Sequence, residues 1–292
     1  MEPNDLKKTP PDEAPNEIEL PSGLELTPES ARPITQSRLS RIIVLAGPSE
    51  SGKTTMLAAI YEKLCRGPFA GVRFAGSQTL WAWEQRCHTL RIRATERTKV
   101  TDGQPLLHLC LQNEQNAEQT IDVFMTDISG ERFEAAVEAT DECKKLTLVK
   151  RADHFVVCLD GEKLCDSLLR HRIRAEGSKM LRAFIEAGML GRASSVMVLF
   201  TKADVFRKTP DVYTYIAEIE KEYTSKFQGN FGALRFQVAA AYPFQAAIGV
   251  DDLISRWTSE TLVGQHMDAS QPDTIGGVRQ IDRLRDIATY GN

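Results

Sequence analysis

The sequence predicts an α/β fold: a mostly parallel central sheet with one antiparallel edge hairpin strand and helices on both faces. Three observations carry this reading. A short apolar run, Arg41 to Ala46 (RIIVLA), leads through a glycine-containing loop into Lys53 to Cys65 (KTTMLAAIYEKLC), where apolar residues recur at helical spacing. Three more buried-type runs, His154 to Leu159, Ser195 to Phe200 and Leu234 to Ala239, are separated by helical stretches around 163 to 190 and 211 to 227. Strands that alternate with helices call for a parallel sheet covered on both faces. Finally, Leu106 to Leu111 and Ile121 to Met125 flank the polar stretch Gln112 to Thr120, the pattern of an antiparallel hairpin.

Taken in order, residues 1 to 38 are expected to form a disordered, proline-rich acidic tail. Seven of the thirteen prolines (Pro3, Pro10, Pro11, Pro15, Pro21, Pro28 and Pro33) fall there, with too few large apolar residues to offset the entropy of ordering. The folded domain is expected over residues 39 to 264. Trp81-Ala82-Trp83 opens an extra helical stretch whose aromatics are expected in local core. A long helix is expected from Phe133 to Leu148, and a last one from Val250 to Leu262, including Trp257, to close the domain. Residues 265 to 292 have weak periodicity and receive no assigned structure.

A length of 292 residues, 42% hydrophobic and 26% charged, supports one sizeable core with tails. The net charge of −4 gives no global attraction to nucleic acid or to an anionic membrane. The six cysteines form no C-x-x-C pair and read as reduced small hydrophobes. No window approaches the roughly 18 apolar residues needed to span a bilayer, and the acidic, proline-rich start does not look like a signal peptide. A cytoplasmic protein without an integral membrane segment is expected.

Residues 47 to 54 read GPSESGKT and fit G-x-x-x-x-G-K-[ST], with an apolar strand before and a helix after. Gly47 and Gly52 let the backbone curl so that successive N–H groups face phosphate oxygens, and the helix adds its positive N-terminal dipole. Lys53 is suited to neutralise β- and γ-phosphates, and Thr54 to place a hydroxyl on magnesium. A plain glycine turn before a helix needs neither. Ser49, Glu50, Ser51 and Thr55 complete the candidate phosphate loop; a carboxylate at Glu50 suits phosphate only if it points to solvent.

The strand Ile121 to Met125 runs into Thr126-Asp127-Ile128-Ser129-Gly130. Asp127 at a strand's C-terminal end can hold a magnesium-bound water, and Gly130 can bring its N–H to a γ-phosphate because no side chain intervenes. After SVMVLF stands Thr201-Lys202-Ala203-Asp204, which fits N/T-K-x-D. The Asp204 carboxylate can accept from guanine N1–H and N2–H₂, a donor pair adenine lacks, and the Lys202 stem can lie along the base.

These motifs, in this order over roughly residues 40 to 262, resemble the Ras-like small GTPases of the TRAFAC class, a P-loop NTPase fold. The resemblance implies GTP or GDP with Mg²⁺ as ligands and hydrolysis of the γ-phosphate. It also implies a switch-loop threonine that reaches the metal and assists catalysis. Thr95, Thr98 and Thr101 precede the Leu106 strand; Thr98 is favoured because it leaves a few residues for the chain to enter that strand. Where the family has a water-orienting glutamine, this sequence has Glu131, whose charge would face the γ-phosphate, so slow unaided turnover is expected. Ala240 in the alanine-rich run after the last strand is the candidate for the final backbone contact to the base. Arg132 is read as a salt-bridge residue, with transition-state support in cis as the alternative, and Arg170 to Arg174 as a solvated basic helix face. The enlarged first switch region and the DISGE form resemble the bacterial double-GTPase-like group, which implies protein effector or activator partners. Two other readings stay open: a nucleotide-gated module that scarcely hydrolyses GTP, and an ATPase, which leaves Thr201 to Asp204 unexplained.

Overall fold

Alternating burial along the first strand divides the molecule into two apolar layers. In β1 (Ser40–Ala46), Ile43 and Leu45 belong to one layer and Val44 and Ala46 to the other, as the two-residue period of a strand requires. The computed structural model describes residues 21–91, 103–242 and 247–259. All lie in the first of the chain's two units, Met1–Glu260. The second half of the α/β alternation follows with β5 (His154–Asp160) and β6 (Ser195–Thr201), both buried at every residue. That is why their sequences are continuously apolar: each has a helical layer on both sides.

The sheet has seven strands. Outward from β1, one side carries β4 (Thr120–Thr126), β3 (Leu106–Asn113) and β2 (Val72–Gly76); the other carries β5, β6 and β7 (Ala233–Val238). β3 alone runs against the rest. One face is covered by α2 (Lys53–Arg66), α3 (Leu80–Arg91) and α10 (Val250–Ser259), with Trp83 and Trp257 fully buried. The other is covered chiefly by α4 (Gly130–Glu138), α7 (Arg170–Glu186) and α9 (Pro210–Phe227), around Phe133, Phe155 and Phe184.

The expected hairpin is β3–β4, in register from Leu106 opposite Thr126 to Gln112 opposite Thr120. Asn113 holds its turn by accepting the amides of Gln115 and Asn116. It is not at the edge, however: β2 pairs outside β3. Five residues containing Arg73 and Gly76, with a register break between Phe74 and Gly76, show little strand pattern of their own, and pairing with β3 decides their conformation.

Two expectations fail for identifiable reasons. The long helix from Phe133 to Leu148 is broken into α4, α5 (Thr140–Lys145) and a 3₁₀ turn over Thr147–Arg151. Ala139 between them is extended (φ −140°, ψ 123°). Disorder through residue 38 does not hold for residues 21–38. Leu26 exchanges both backbone hydrogen bonds with Leu106 at 2.9 Å, Ala31 is buried in the core, and α1 (Arg32–Ser37) has proline in its first turn. Proline is tolerated there because the first-turn N–H would be unpaired anyway. Residues 1–20 and 265–292 lie outside the described residues.

The stretch expected to be helical over 163 to 190 becomes a short α6 (Gly161–Leu164) followed by α7. The basic run on α7 faces α9: Arg170 lies over the Tyr215 ring at 4.9 Å, His171 bonds the Tyr215 hydroxyl at 3.0 Å, and Arg174 pairs with Glu222. His171 and Arg172 are exposed, as expected of a solvated face, and Arg172 pairs with Glu176 one turn on. All six cysteines are free, as expected. No helix among the described residues is long and apolar enough to cross a membrane.

Candidate nucleotide-binding site

Because β1, β4, β5, β6 and β7 run parallel, their C-terminal ends share one edge of the sheet. The loops that leave this edge carry the candidate residues, as expected for open α/β sheets. The loop after β1 turns through Gly47 (φ +152°) and Gly52 (φ +87°). A Cβ on Gly47 would stand 2.7 Å from the Cys158 carbonyl oxygen, so the loop can lie this close to β5 only with glycine. Glu50 adopts φ +67°, unusual for a residue with a side chain, and is exposed.

α2 begins at Lys53 without a side-chain cap, so its first-turn amides and positive dipole end face the loop. The buried Lys53 ammonium donates to the carbonyls of Gly47 (2.8 Å) and Pro48 (2.9 Å). Burial pulls its pKa down, opposed by Cys158, Asp127, Glu131 and Glu134. The Ser51 hydroxyl is buried beneath the loop, and Thr55 is half-buried in the first turn of α2.

At the other end of the loop the Thr54 hydroxyl donates to Asp127 Oδ1 at 2.9 Å. This hydroxyl and carboxylate are hard oxygen donors of the kind magnesium takes, alongside phosphate and water. No group of three or more His, Cys, Asp or Glu side chains among the described residues could hold a metal by itself. The remaining ligands would therefore come from phosphate oxygens, water and hydroxyls. Asp127 Oδ2 accepts from Arg86 Nε at 2.7 Å.

α4 starts immediately after this carboxylate. A Cβ on Gly130 would meet the Ser49 nitrogen at 2.1 Å, so the helix start lies directly on the phosphate loop. The Ser49 N–H donates to Glu134 Oε1 at 3.2 Å, a carboxylate taking an amide of the anion-binding loop. Glu131 is exposed in the first turn of α4. Arg132 donates to the carbonyl of Gly103.

The loop after β6 is tied to the phosphate loop directly. The buried Thr201 hydroxyl lies 2.9 Å from the Ser51 carbonyl and 3.1 Å from that of Leu159. Lys202 turns the chain with φ +57° into α8 (Ala203–Phe206), and Asp204 stands half-buried in its first turn. The Lys202 ammonium lies 3.0 Å from both Asp160 Oδ2 and Glu162 Oε2. Burial alone would lower its pKa, but these carboxylates hold it above the ordinary value. Ala240 departs from expectation: its N–H donates to the Ile248 carbonyl at 3.0 Å and is not free for a base. The isolated bridge between Ala240 and Ile248 uses that amide to close the loop. Thr95, Thr98 and Thr101 lie outside the described residues.

A family model described as Double-GTPase 2 matches residues 41–258, well over half of the chain. The chain belongs to the Double-GTPase 2 family. No curated protein matches it. Solved structures similar to this Double-GTPase 2 chain include the Arl6 BBS3 small GTPase of Trypanosoma brucei with a bound nucleotide analogue. That pair is 13% identical with a TM-score of 0.42, over 75% of this chain and 95% of that one. The elongation factor SelB of Methanococcus maripaludis, in complex with the GTP analogue GppNHp, is 12% identical with a TM-score of 0.40, over 74% and 32%. Roco2 RocCORdC of Methanosarcina barkeri, bound to GDP, is 16% identical with a TM-score of 0.38, over 74% and 47%. A bacterial selenocysteine-specific elongation factor, EF-Sec, is 13% identical with a TM-score of 0.39; the chain spans only 28% of its length.

Within this family member, four site residues escaped the motif reading: Glu25, Arg86, Glu134 and Asp160. Asp160 could have been found, since Asp-Gly follows the buried run HFVVCL at the same sheet edge. Its Oδ1 accepts the amides of Glu162 and Lys163, capping α6, while Oδ2 holds Lys202. The other three reach the site from helices or from the N-terminal segment, and nothing in their local sequence announces it. Of the Trp81–Trp83 pair, only Trp83 is local core, stacked on Tyr61 at 5.4 Å; Trp81 is 58% exposed.

Proposed function

We propose that this chain is a GTP-binding, GTP-hydrolysing molecular switch that uses Mg²⁺, turns over slowly by itself and acts through protein partners in the cytoplasm. The observation that carries the reading is the Thr54–Asp127 hydrogen bond of 2.9 Å at the mouth of a phosphate loop whose lysine is buried against Gly47 and Pro48. When bound, Mg²⁺ would offset charge between the β- and γ-phosphates, with Thr54 and Asp127 holding it. The chain's own part is to present the amides of residues 52 to 55 and the Lys53 ammonium to the phosphates, with the Ser49 amide joining them only when Glu134 releases it. Gly130, packed on the phosphate loop, is the candidate to give its N–H to a γ-phosphate, and that contact would be lost with the phosphate. Asp204 accepts from the guanine edge, with Lys202 alongside, held in place by Asp160. Thr98 remains the candidate switch-loop hydroxyl.

A second reading, a GTP-gated module with little hydrolysis, is favoured by Glu131. A charged carboxylate at the water-orienting position opposes the approach of a negatively charged phosphoryl group. Single-turnover hydrolysis with and without cell lysate separates the two.

The test of the site is competition among GTP, XTP and ATP in Mg²⁺. Lys53→Ala should lose about a hundredfold or more in triphosphate affinity, the value of charge-assisted contacts to phosphate. Asp204→Asn should lose GTP by on the order of a hundredfold and gain XTP, because its amide donates where the carboxylate accepted. Undiminished GTP affinity in the first, or an unchanged base preference in the second, rejects the assignment.

A further inference from the structure

Arg86 lies on α3, in the insertion between α2 and β3, and its side chain is 5% exposed. Burying a guanidinium is costly unless it is well paired. This one is paired on three sides: Nε to Asp127 Oδ2 at 2.7 Å, Nη1 to the Ala82 carbonyl at 2.9 Å, and Nη2 to Glu25 Oε1 at 3.0 Å. Packing of α3 does not call for it, since Trp83 already anchors the helix by stacking on Tyr61 and donating to the His108 carbonyl at 2.9 Å.

Glu25 belongs to a strap made by residues 23 to 26. The Gly23 carbonyl accepts the Ala82 amide of α3 at 2.8 Å, and Leu26 pairs with Leu106 of β3. Gly23 is fixed there by φ +76° and by Trp81, whose Cβ would stand 3.0 Å from an added Cβ. The strap is thus pinned at both ends, with Glu25 reaching Arg86 from between.

We propose that Arg86 is the positioning residue of Asp127, and that Glu25 offsets the Arg86 charge, so that the strap sets how much Mg²⁺ nucleotide binding requires. This rests on Thr54 and Asp127 being the metal end of the nucleotide site. The physical reason is competition for one carboxylate. Asp127 Oδ1 faces Thr54 while Oδ2 is held by Arg86, which fixes the rotamer that serves the metal. A guanidinium without a counter-charge repels a divalent cation and holds the carboxylate to itself. With Glu25 at 3.0 Å the pair is near neutral, and only the orientation remains. Glu25 is 25% exposed, so anything that lifts the strap unmasks the Arg86 charge.

The experiment titrates Mg²⁺ into the full chain with fluorescently labelled GDP, starting from EDTA. Glu25→Gln should raise the Mg²⁺ concentration for half-maximal GDP retention about tenfold. GDP affinity in EDTA should stay at the wild-type value, which general loosening of the fold would not allow. Glu25→Asp, which keeps the charge, should restore the wild-type midpoint. In an Arg86→Gln background the Glu25→Gln shift should vanish, because there is no charge left to unmask. An unchanged midpoint in Glu25→Gln overturns the proposal, as does an equal shift in the Arg86→Gln background or a parallel fall in EDTA affinity. The Glu25 variants decide the matter even if Arg86→Gln fails to fold. Failure of the wild-type chain to bind GDP, or binding indifferent to Mg²⁺, instead removes the site reading itself, and this proposal with it.

Discussion

His154, at the start of β5, is 2% exposed, and its Nε2 is buried without a hydrogen-bond partner among the described residues. Burial, with Arg41, Arg235 and Arg256 nearby, pulls its pKa from 6.5 down to about 4. Between those values the unfolded chain binds a proton that the folded chain refuses, so stability must fall as pH drops from about 6.5 towards 4. The loss should reach roughly 3 kcal/mol, at about 1.4 kcal/mol per pKa unit. His108, also lowered by burial, adds in the same direction. Denaturant midpoints measured from pH 7 to pH 4.5 should show the decline, and His154→Gln should flatten it; equal slopes in both proteins would remove His154 as the cause. The phosphate-loop residues were legible at this scale because each is demanded by local chemistry: glycine for φ +87° at Gly52, a hydroxyl at Thr54, an ammonium at Lys53. Ala240 was not legible, since which amide stays free depends on Ile248 pairing back across a loop.

At the scale of elements, the inserted α3 is where packing and site meet. Trp83 is fully buried, stacked on Tyr61 and bonded to the His108 carbonyl. The same carbonyl accepts from Ser77 at 2.6 Å, which draws the β2–α3 connection onto β3. Trp83→Ala should therefore cost about 3–5 kcal/mol in unfolding free energy, the range for emptying a buried aromatic site. It should also loosen Arg86, one turn further along α3. Equilibrium urea unfolding checks the first, and a raised Mg²⁺ requirement for GDP checks the second; a loss under about 1 kcal/mol would show that α3 contributes little to the core. The helices were readable because their 3.6-residue period is written in the apolar residues, and the buried strands because each is a short continuous apolar run. β2 was not, because an edge strand with exposed Arg73 and a register break needs only a partner, not a pattern. The break at Ala139 has no glycine or proline to announce it; α4 and α5 turn there to keep Phe133 and Cys143 in one core layer.

For the molecule as a whole, loops that leave one edge of the parallel sheet form the candidate site, so a ligand bound there would stabilise the sheet that holds them. GDP at about 100 times its dissociation constant should add about 2.7 kcal/mol. For a domain of this size each kcal/mol moves Tm by roughly 2–4 °C, so the midpoint should rise about 5–10 °C with Mg²⁺-GDP and scarcely at all for Lys53→Ala. Equal rises with ATP and GDP would argue against guanine selection by Asp204. The sequence by itself determined the mostly parallel α/β sheet and the glycine loop between β1 and α2, and it named Asp127 and Thr201 to Asp204 as candidates at one sheet edge, because apolar runs, the helical period and glycine-dependent turns are local constraints that survive without a fold. Tertiary structure alone decided that Ala31 and Leu26 of the N-terminal segment pack into the core, that Glu134 takes the Ser49 amide, that Arg86 reaches Asp127 and that Glu25 reaches Arg86. Those contacts join residues 41 positions apart at Asp127, 61 apart at Arg86 and 85 apart at Ser49. A buried charge finds its partner through the shape of the folded chain, which no short window of sequence contains.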